Sequence, residues 1–203
     1  TLGLAYAEAH PECCLALVLR GVFLARQKEI EWFMEGMEKF FPGEYQAFVN
    51  YLPQTLRGDV LQGYIQLLND PEAAVHLPAA QSWAKFEAAC ATLHPNPDMV
   101  AELNDPVTAL GLGRLEAHYF ANAMFLEEAQ LLTNAHRLTG IPGVIVQGRY
   151  DVICPPTSAQ ELADAWPGSE LIYVSDAGHS ATEPGITIEL VRAMERLKAL
   201  GAE

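Results

Sequence analysis

A strand-helix-strand pattern near the C-terminus most constrains what this chain can fold into. Val144 to Val146 and Leu171 to Val174 are apolar runs rich in β-branched residues, and Thr157 to Ala165 between them favours a helix. Uniformly apolar strands are typical of parallel sheets that are buried on both faces. The order predicts two parallel strands joined by a right-handed crossover helix. Thr157 is the predicted N-cap of that helix, and Pro167 with Gly168 is its predicted stop.

An acid and a histidine follow these two strands. Asp151 comes after the first and His179 after the second, so both are expected at the carboxyl edge of the sheet, where reacting groups gather. A carboxylate there can accept the imidazole N–H and stabilise the imidazolium that forms when the histidine takes a proton. Acid before histidine, with a final helix after it, is the chain order of α/β-hydrolases. Each residue alone is also a common turn residue, and no serine completes the pattern.

Composition limits the partners of the chain. The 203 residues are 50% hydrophobic with a mean hydropathy of +0.08, which predicts one domain with an insertion. A net charge of −14 argues against nucleic acid and against a basic patch on anionic membranes. No apolar run is long enough to span a membrane, and no secretion signal is evident. Four cysteines without CxxC spacing favour reduced thiols and a cytoplasmic location; they are Cys13, Cys14, Cys90 and Cys154.

The first residues predict a helix that is entered partway. Thr1 to His10 has a helical pattern that ends at Pro11, and Cys14 to Phe23 reads as a buried strand followed closely by a helical region. An open sheet that begins on a helix lacks its first strands. We therefore expect an N-terminally truncated α/β fold, with a mostly parallel sheet.

Residues 25–137 have a different, helical pattern. No strand alternation occurs there. The breakers between helical stretches are Pro42 with Gly43, Pro53, Asp70 with Pro71, and the segment from His94 to Pro97. Helices inserted between two strands of one sheet predict a cap, which closes a site and selects substrates. The predicted division is therefore core at 1–24, helical cap at 25–137 and core at 138–203. The predicted cap helices are Glu29 to Phe41, Gly58 to Asn69, Glu72 to Thr92 and Leu110 to Leu132.

Two clusters in the predicted cap pair an acid with an aromatic residue. Trp83 and Glu87 are four residues apart on one helical face, and so are Glu116 and Phe120. One interpretation is a core aromatic stripe flanked by solvated carboxylates. The other is a pair of carboxylates that receives a cation. The pattern by itself leaves both open.

Several ordered segments resemble the prolyl aminopeptidase family, also called proline iminopeptidases. The resemblance extends over essentially the whole chain and implies an α/β-hydrolase with a helical cap. It also implies a serine nucleophile and release of proline from short peptides with a free N-terminal proline, without metal or another cofactor. The segments are TLGLAYAEAHP at 1–11, LVLRGVF at 17–23, EWF at 31–33, RGD at 57–59, WAKFE at 83–87, EAHYF at 116–120, GRYDVICP at 148–155 and DAGHS at 176–180.

The resemblance assigns roles to particular residues. Asp151 matches the triad acid, and His179 matches the general base that later acts as general acid. Glu87 and Glu116 match the cap carboxylates that bind the free amine of the substrate. The family's nucleophile falls four residues before Thr1, so the 203 residues alone are expected to be inactive, and the oligomeric state is left open. The positions that match the proline-ring pocket are Phe23, Phe33, Phe120 and Cys154.

The chain departs from the family pattern at three places, and other functions remain as alternatives. Phe86 stands where tryptophan is frequent, Phe33 where tyrosine occurs, and Gln147 where histidine is also found. The alternatives are another α/β-hydrolase such as an esterase or epoxide hydrolase, a noncatalytic binding relative, and an amidase with Thr1 as its N-terminal nucleophile. The two cap acids argue against an esterase.

Overall fold

A computed structural model describes residues 1–198, which form three strands and ten α-helices. The chain divides into two compact units. We call Thr1–Glu29 with Glu127–Glu203 the sheet unit, and Ile30–Leu126 the helical unit. The strands are β1 (Leu17–Arg20), β2 (Gly143–Gly148) and β3 (Ser169–Val174). The helices are α1 (Leu2–Ala9), α2 (Gln27–Met34), α3 (Pro42–Tyr51), α4 (Val60–Leu68), α5 (Ala73–Cys90), α6 (Pro97–Leu103), α7 (Pro106–Ala121), α8 (Gln130–Thr133), α9 (Pro156–Ala165) and α10 (Pro184–Leu197).

The sheet is parallel throughout, with the strand order β1-β2-β3. Leu17 lies opposite Gly143 at one end, and Gly148 lies opposite Val174 at the other. The predicted parallel strand-helix-strand unit is therefore confirmed. Because β2 and β3 end side by side, the loops that follow them leave from the same edge of the sheet.

Strand β2 is the buried centre of the sheet unit. All six of its residues are buried. Val144 and Val146 belong to the hydrophobic cluster that also contains Ile186 and Ala193 of α10. The ring of Trp166 packs so closely on Gly143 that an added Cβ would lie 2.1 Å from it. Side chains alternate between faces along a strand, so both faces of β2 are covered, as its uniformly apolar sequence predicts.

The sheet unit also buries an ion pair. Arg26 donates from Nε to Glu29 Oε2 over 3.1 Å and from an amino group to Oε1 over 3.3 Å. The same guanidinium bonds to Ser158 Oγ of α9 over 3.2 Å, and it also binds Glu161. The hydrogen bond from Arg26 lowers the pKa of Glu161. Glu29 further accepts from the backbone N–H of Leu24, so the pair fixes the segment that leaves β1.

The helical unit is built around packed aromatic rings. Phe48 stacks on Tyr64 with centroids 4.3 Å apart and on Phe86 with centroids 4.6 Å apart. Trp83, which is fully buried, lies edge-on to Phe48 and stacks on Phe33. Tyr64 donates its hydroxyl to the carbonyl of Phe48, which satisfies the one polar atom it brings into this core. No helix within residues 1–198 has the length and apolar character needed to cross a membrane.

Two predicted boundaries in the sheet unit are wrong. Thr157 is not the N-cap of α9, because the helix begins at Pro156 and Pro155 occupies the cap position. The strand predicted at Cys14 to Phe23 is confined to β1, since Gly21 adopts a φ of +52° and turns the chain away from the sheet.

The helical stretches differ in their extent from the prediction. The stretch predicted at Leu110 to Leu132 is three elements: α7, a short 3₁₀ helix at Ala123–Phe125, and α8. The helices α3 and α6 lie where the sequence shows proline breakers. The residues at 199–203 of the predicted C-terminal core fall outside the described part of the chain. The interpretation of residues 25–137 as a cap stays a prediction.

Candidate active site

Asp151 and His179 lie within hydrogen-bond distance of each other in the sheet unit. Asp151 follows β2, His179 follows β3, and His179 Nδ1 is 3.1 Å from Oδ1 and 3.0 Å from Oδ2 of Asp151. The acid is 3% exposed, whereas the histidine side chain is 16% exposed. A buried acid therefore orients an imidazole that still reaches solvent. This arrangement suits an acid that fixes the tautomer of a histidine base.

The carboxylate of Asp151 is held from two further directions. The backbone N–H of Cys154 donates to Oδ1 over 2.8 Å, which closes a tight turn after β2. The side-chain amide of Gln147 donates to Oδ2 over 3.0 Å. Both oxygens thus have donors besides the imidazole. The positions of both carboxylate oxygens are therefore fixed by neighbouring residues of the same unit.

The backbone around His179 is fixed in a similar way. Arg20, the last residue of β1, donates to the carbonyl of His179 over 2.7 Å. The N–H of Gly178 donates to Glu183 Oε2 over 2.8 Å, and the N–H of Tyr150 donates to the carbonyl of Ala177 over 3.0 Å. The loop that carries the histidine is therefore tied to β1, to the loop after β2 and to the start of α10.

Two glycines allow these loops to come together. A Cβ on Gly21 would lie 2.7 Å from His179 Cε1 and 3.0 Å from Nδ1. A Cβ on Gly148 would lie 1.8 Å from the carbonyl oxygen of Gly178. Contacts this short are not possible for a real side chain. Glycine at position 148 thus allows the Asp151 and His179 loops to pack closely, and glycine at position 21 allows the backbone after β1 to lie beside the His179 ring.

Gln147 is the residue of this site that sequence reasoning missed. The family comparison marks it only as a departure, whereas the structure gives its amide bonds to Asp151, to the carbonyl of Cys154 and to the N–H of Val22. The available signal was a polar residue at the end of an otherwise apolar strand. A buried amide in such a strand needs partners.

Two of the predicted pocket residues also belong to the sheet unit. Cys154 is buried at 6% exposure, and its backbone contributes one donor to Asp151 and one acceptor to Gln147. Phe23 is partly buried, and its carbonyl accepts from the hydroxyl of Thr1 over 2.7 Å. Cys154 thus has a structural part through its backbone. A role for either side chain in substrate binding stays a prediction.

The other predicted residues belong to the helical unit. Trp83 Nε1 donates to Glu116 Oε2 over 2.8 Å, so α5 and α7 are joined at this carboxylate. Phe33 lies 5.7 Å from Trp83 and 5.3 Å from Phe120, centroid to centroid. Glu87 lies one turn after Trp83 and is partly buried. Aromatic rings and carboxylates therefore share one region of this unit.

A cavity of about 500 Å³ lies elsewhere in the helical unit, between α3 and α5. Its lining includes Glu44, Phe48 and Lys85 but neither Glu87 nor Glu116. The cavity is thus separate from the predicted amine-binding carboxylates. Across residues 1–198, no group of three or more histidine, cysteine or acidic side chains has the arrangement needed to hold a metal ion.

Comparisons with known proteins place the chain in a family. Residues 1–185 match the family model for the alpha/beta hydrolase fold. The chain is 45% identical to a proline iminopeptidase of Arabidopsis thaliana, an alignment that covers 98% of this chain and 53% of that protein. It is 43% identical to a probable proline iminopeptidase of Leptolyngbya boryana, and the alignment covers 98% of this chain and 63% of that protein. Identity to the Neisseria gonorrhoeae proline iminopeptidase is 40%, with 96% and 62% covered.

Solved structures agree at the level of the fold. An alpha/beta fold family hydrolase from Bacillus anthracis has a TM-score of 0.58 at 16% identity, covering 98% of this chain and 63% of that one. MGS-M2, an alpha/beta hydrolase enzyme from a deep-sea metagenome library, has a TM-score of 0.53 at 12% identity, with 96% and 60% covered. The chain spans between 53% and 63% of the length of the three curated relatives named above. From the matched family model, the parallel sheet and these structures, we conclude that the chain belongs to the alpha/beta hydrolase family.

Proposed function

We propose that this chain is part of a serine prolyl aminopeptidase that releases proline from the N-terminus of short peptides. The observation that carries the proposal is the 3.0 Å contact between His179 Nδ1 and Asp151 Oδ2 at the ends of two adjacent parallel strands. The names and 40–45% identities of the three curated relatives support the choice of substrate.

In this proposal His179 and Asp151 supply two thirds of a catalytic triad. His179 takes the proton of the serine hydroxyl as the serine attacks the scissile carbonyl, and it then gives that proton to the leaving amine. Asp151 accepts a hydrogen bond from the Nδ1–H of His179 and stabilises the imidazolium that forms between these steps. The nucleophile is a serine of the complete gene product outside the 203 residues. No metal or other cofactor takes part.

The proposal assigns recognition of the substrate amine to Glu87 and Glu116. An N-terminal proline presents a secondary ammonium with two N–H donors, which two carboxylates can hold by charge-assisted hydrogen bonds. The bond from Trp83 fixes the orientation of Glu116 before substrate arrives. An acylated N-terminal proline carries no charge and no N–H donor, so such substrates are rejected. This rejection makes the enzyme an aminopeptidase.

The proposal assigns the proline ring to the apolar side chains at Phe23, Phe33, Phe120 and Cys154. Aromatic faces and a small thiol suit a compact five-membered ring. The net charge of −14 favours approach of cationic N-termini. We also propose a cytoplasmic location, which is supported by four cysteines that are all free thiols.

The test compares substrates and one pair of variants in the complete gene product that carries this chain. We expect hydrolysis of a proline arylamide, with the acetyl-proline arylamide and simple phenyl esters cleaved at least 100-fold more slowly. His179→Ala should lower kcat by at least about 1000-fold. His136→Ala, which removes an exposed histidine of the same unit, is the matched control. Equal turnover of the free and acetylated substrates, or faster ester cleavage, would replace the aminopeptidase with an esterase.

A further inference from the structure

Gln147 places a fully buried amide in strand β2. An apolar side chain would fill the same space without needing hydrogen-bond partners. The relative exposure of Gln147 is 0%, and the other residues of β2 are valine, isoleucine and glycine. A buried amide lowers stability unless its donors and acceptor find partners. Its presence here therefore calls for an explanation in terms of those partners.

Both ends of the Gln147 amide are used. Oε1 accepts from the N–H of Val22 over 3.3 Å. Nε2 donates to Asp151 Oδ2 and to the carbonyl of Cys154, over 3.0 Å in each case. One side chain thus joins the segment after β1, the end of β2 and the turn that carries the acid. The strand backbone fixes where this amide lies.

The hydrogen bond from Gln147 to Oδ2 restricts the rotation of the Asp151 carboxylate. A carboxylate rotates about its Cβ–Cγ bond, and this rotation is broad unless both oxygens are held. In Asp151 the Cys154 N–H holds Oδ1 and Gln147 holds Oδ2. The carboxylate then faces His179 with its two oxygens at nearly equal distances from Nδ1.

The bond to Val22 adds a second constraint on the same imidazole. Val22 follows Gly21, where an added Cβ would lie 2.7 Å from His179 Cε1, so the backbone there runs beside the ring. By holding the N–H of Val22, Gln147 keeps this surface in place beside the ring. The orientation of the Asp151 carboxylate and the position of the backbone beside the His179 ring thus both depend on the amide of Gln147.

We infer that Gln147 is a positioning residue that sets the orientation of the Asp151 and His179 pair. Its effect on turnover rests on the proposed function. Its effect on the hydrogen bond between Asp151 and His179 does not, because that contact is a property of the sheet unit alone. The two effects therefore need separate readouts.

The experiment uses Gln147→Met and Gln147→His in the complete gene product. Methionine has a similar length and no N–H donor, whereas neutral imidazole offers one donor and one acceptor. Ser158→Ala is the matched control, since it removes a buried hydroxyl of the sheet unit that bonds to Arg26 and Glu29. The readouts are kcat and KM for a proline arylamide and the low-field proton NMR resonance of the His179 Nδ1–H.

We expect Gln147→Met to lower kcat about 10- to 100-fold with KM within about twofold, because misplacement of a reacting group costs this much. Its Nδ1–H resonance should move upfield or broaden. Gln147→His should recover most of kcat and of the resonance position, and Ser158→Ala should change neither. Should the methionine variant fail to fold, Gln147→Asn, which retains the amide but is one methylene too short, replaces it with the same readouts.

The outcomes separate this inference from the proposed function. A wild-type resonance and kcat in a folded Gln147→Met or Gln147→Asn protein, with only the melting temperature lowered, would overturn the positioning role. Wild-type protein that leaves the proline arylamide intact, while Gln147→Met still loses the resonance, would overturn the proposed substrate and keep the positioning role. A Gln147→His protein that does not recover the resonance position would also contradict the positioning role.

Discussion

The two units of this molecule bury different kinds of side chain. Within residues 1–198, every buried side chain that is charged or has a polar hydroxyl or amide end, apart from tyrosine, belongs to the sheet unit; they are Glu8, Arg26, Glu29, Gln147, Asp151, Ser158 and Ser180. The core of the helical unit is instead made of stacked and edge-on aromatic rings. The sheet unit therefore adds buried hydrogen-bonded groups to its apolar core, whereas aromatic ring packing dominates the core of the helical unit.

This difference predicts what each unit tolerates. Hydrogen bonds depend on direction, so a change of one atom disturbs geometry while the volume is unchanged. Ring packing depends on volume, so truncation leaves a cavity and lowers the free energy of unfolding. Substitutions of the hydrogen-bonded groups around Asp151 and His179 should therefore act first on turnover, and those in the aromatic core on stability. Four further variants test this division.

The largest effect is expected from Asp151→Asn. The change replaces one oxygen by an amide group that presents N–H donors to His179 Nδ1, so the imidazole takes the wrong tautomer. We expect kcat for a proline arylamide to fall about 10,000-fold, with the melting temperature little changed. Asp164→Asn, an exposed acid of the same unit, is the control. A fall in stability without loss of kcat would remove the contrast between the units.

Phe48→Ala is the converse test in the helical unit. Phe48 is 1% exposed and packs on Tyr64 and Phe86, so its loss should lower the free energy of unfolding by about 3 to 5 kcal/mol. Chemical denaturation measures this change, and kcat at a temperature where the protein is folded should stay within about twofold. Phe40→Ala, at an exposed ring, should cost far less. A large loss of kcat in folded Phe48→Ala would show that ring packing also sets catalytic geometry.

Glu116→Gln sharpens the comparison, because it changes a polar group within the aromatic region. Glutamine keeps an oxygen acceptor for the Trp83 N–H but loses the negative charge. Since a hydrogen bond to a charged group contributes about 1.5 to 3 kcal/mol, KM for a proline arylamide should rise about 10- to 100-fold. The exposed Glu102→Gln serves as its control. An unchanged preference for the free over the acetylated substrate would contradict the amine-binding role.

The smallest effect on turnover is expected at Glu8, whose carboxylate departs from the pattern of paired polar groups in the sheet unit. Neither of its carboxylate oxygens has a hydrogen-bond partner among the described residues, and burial raises its pKa to about 7 despite the charge of Arg137. The pKa is raised above its ordinary value of 4.5, so ionisation lowers stability progressively as pH rises from about 4.5 to about 7.

Glu8→Gln removes this titration. At pH 8 the variant should be more stable than the wild type by about 3 kcal/mol, whereas at pH 4.5 the two should be nearly equal. Denaturation at both pH values measures the difference, with exposed Glu12→Gln as control. A stability gain that is the same at both pH values would point to packing rather than to the charge.

The sheet was predictable from sequence because each strand is marked by a short continuous run of apolar residues. Two uniformly apolar β-branched runs separated by a helix leave few topologies, and they place Asp151 and His179 at the same edge. The contact of Gln147 with Val22 was not predictable, since it joins residues 125 positions apart through a side chain. The length of β1 was also overestimated, because apolar residues continue past Gly21 where the chain leaves the sheet.

Prolines explain most of the errors in the helices. Pro42, Pro97 and Pro156 each stand at the first turn of a helix, where the missing N–H has no helical partner to lose. Sequence reasoning treated the first two as breakers and placed the cap of α9 too late. The same residue type ends one helix and begins another. Only the packing of the following residues distinguishes the two cases.

The hydrogen bond from Trp83 to Glu116 places an intrinsic fluorophore beside the proposed amine-binding carboxylate. An excited indole has a larger dipole than its ground state, so a negative charge beside its N–H changes the energy of the emitted light. Trp83 is fully buried, and the Glu116 carboxylate lies 2.8 Å from its indole nitrogen. A cation that settles on Glu116 should therefore shift the fluorescence of the protein, and binding can be followed without a label or a turnover assay.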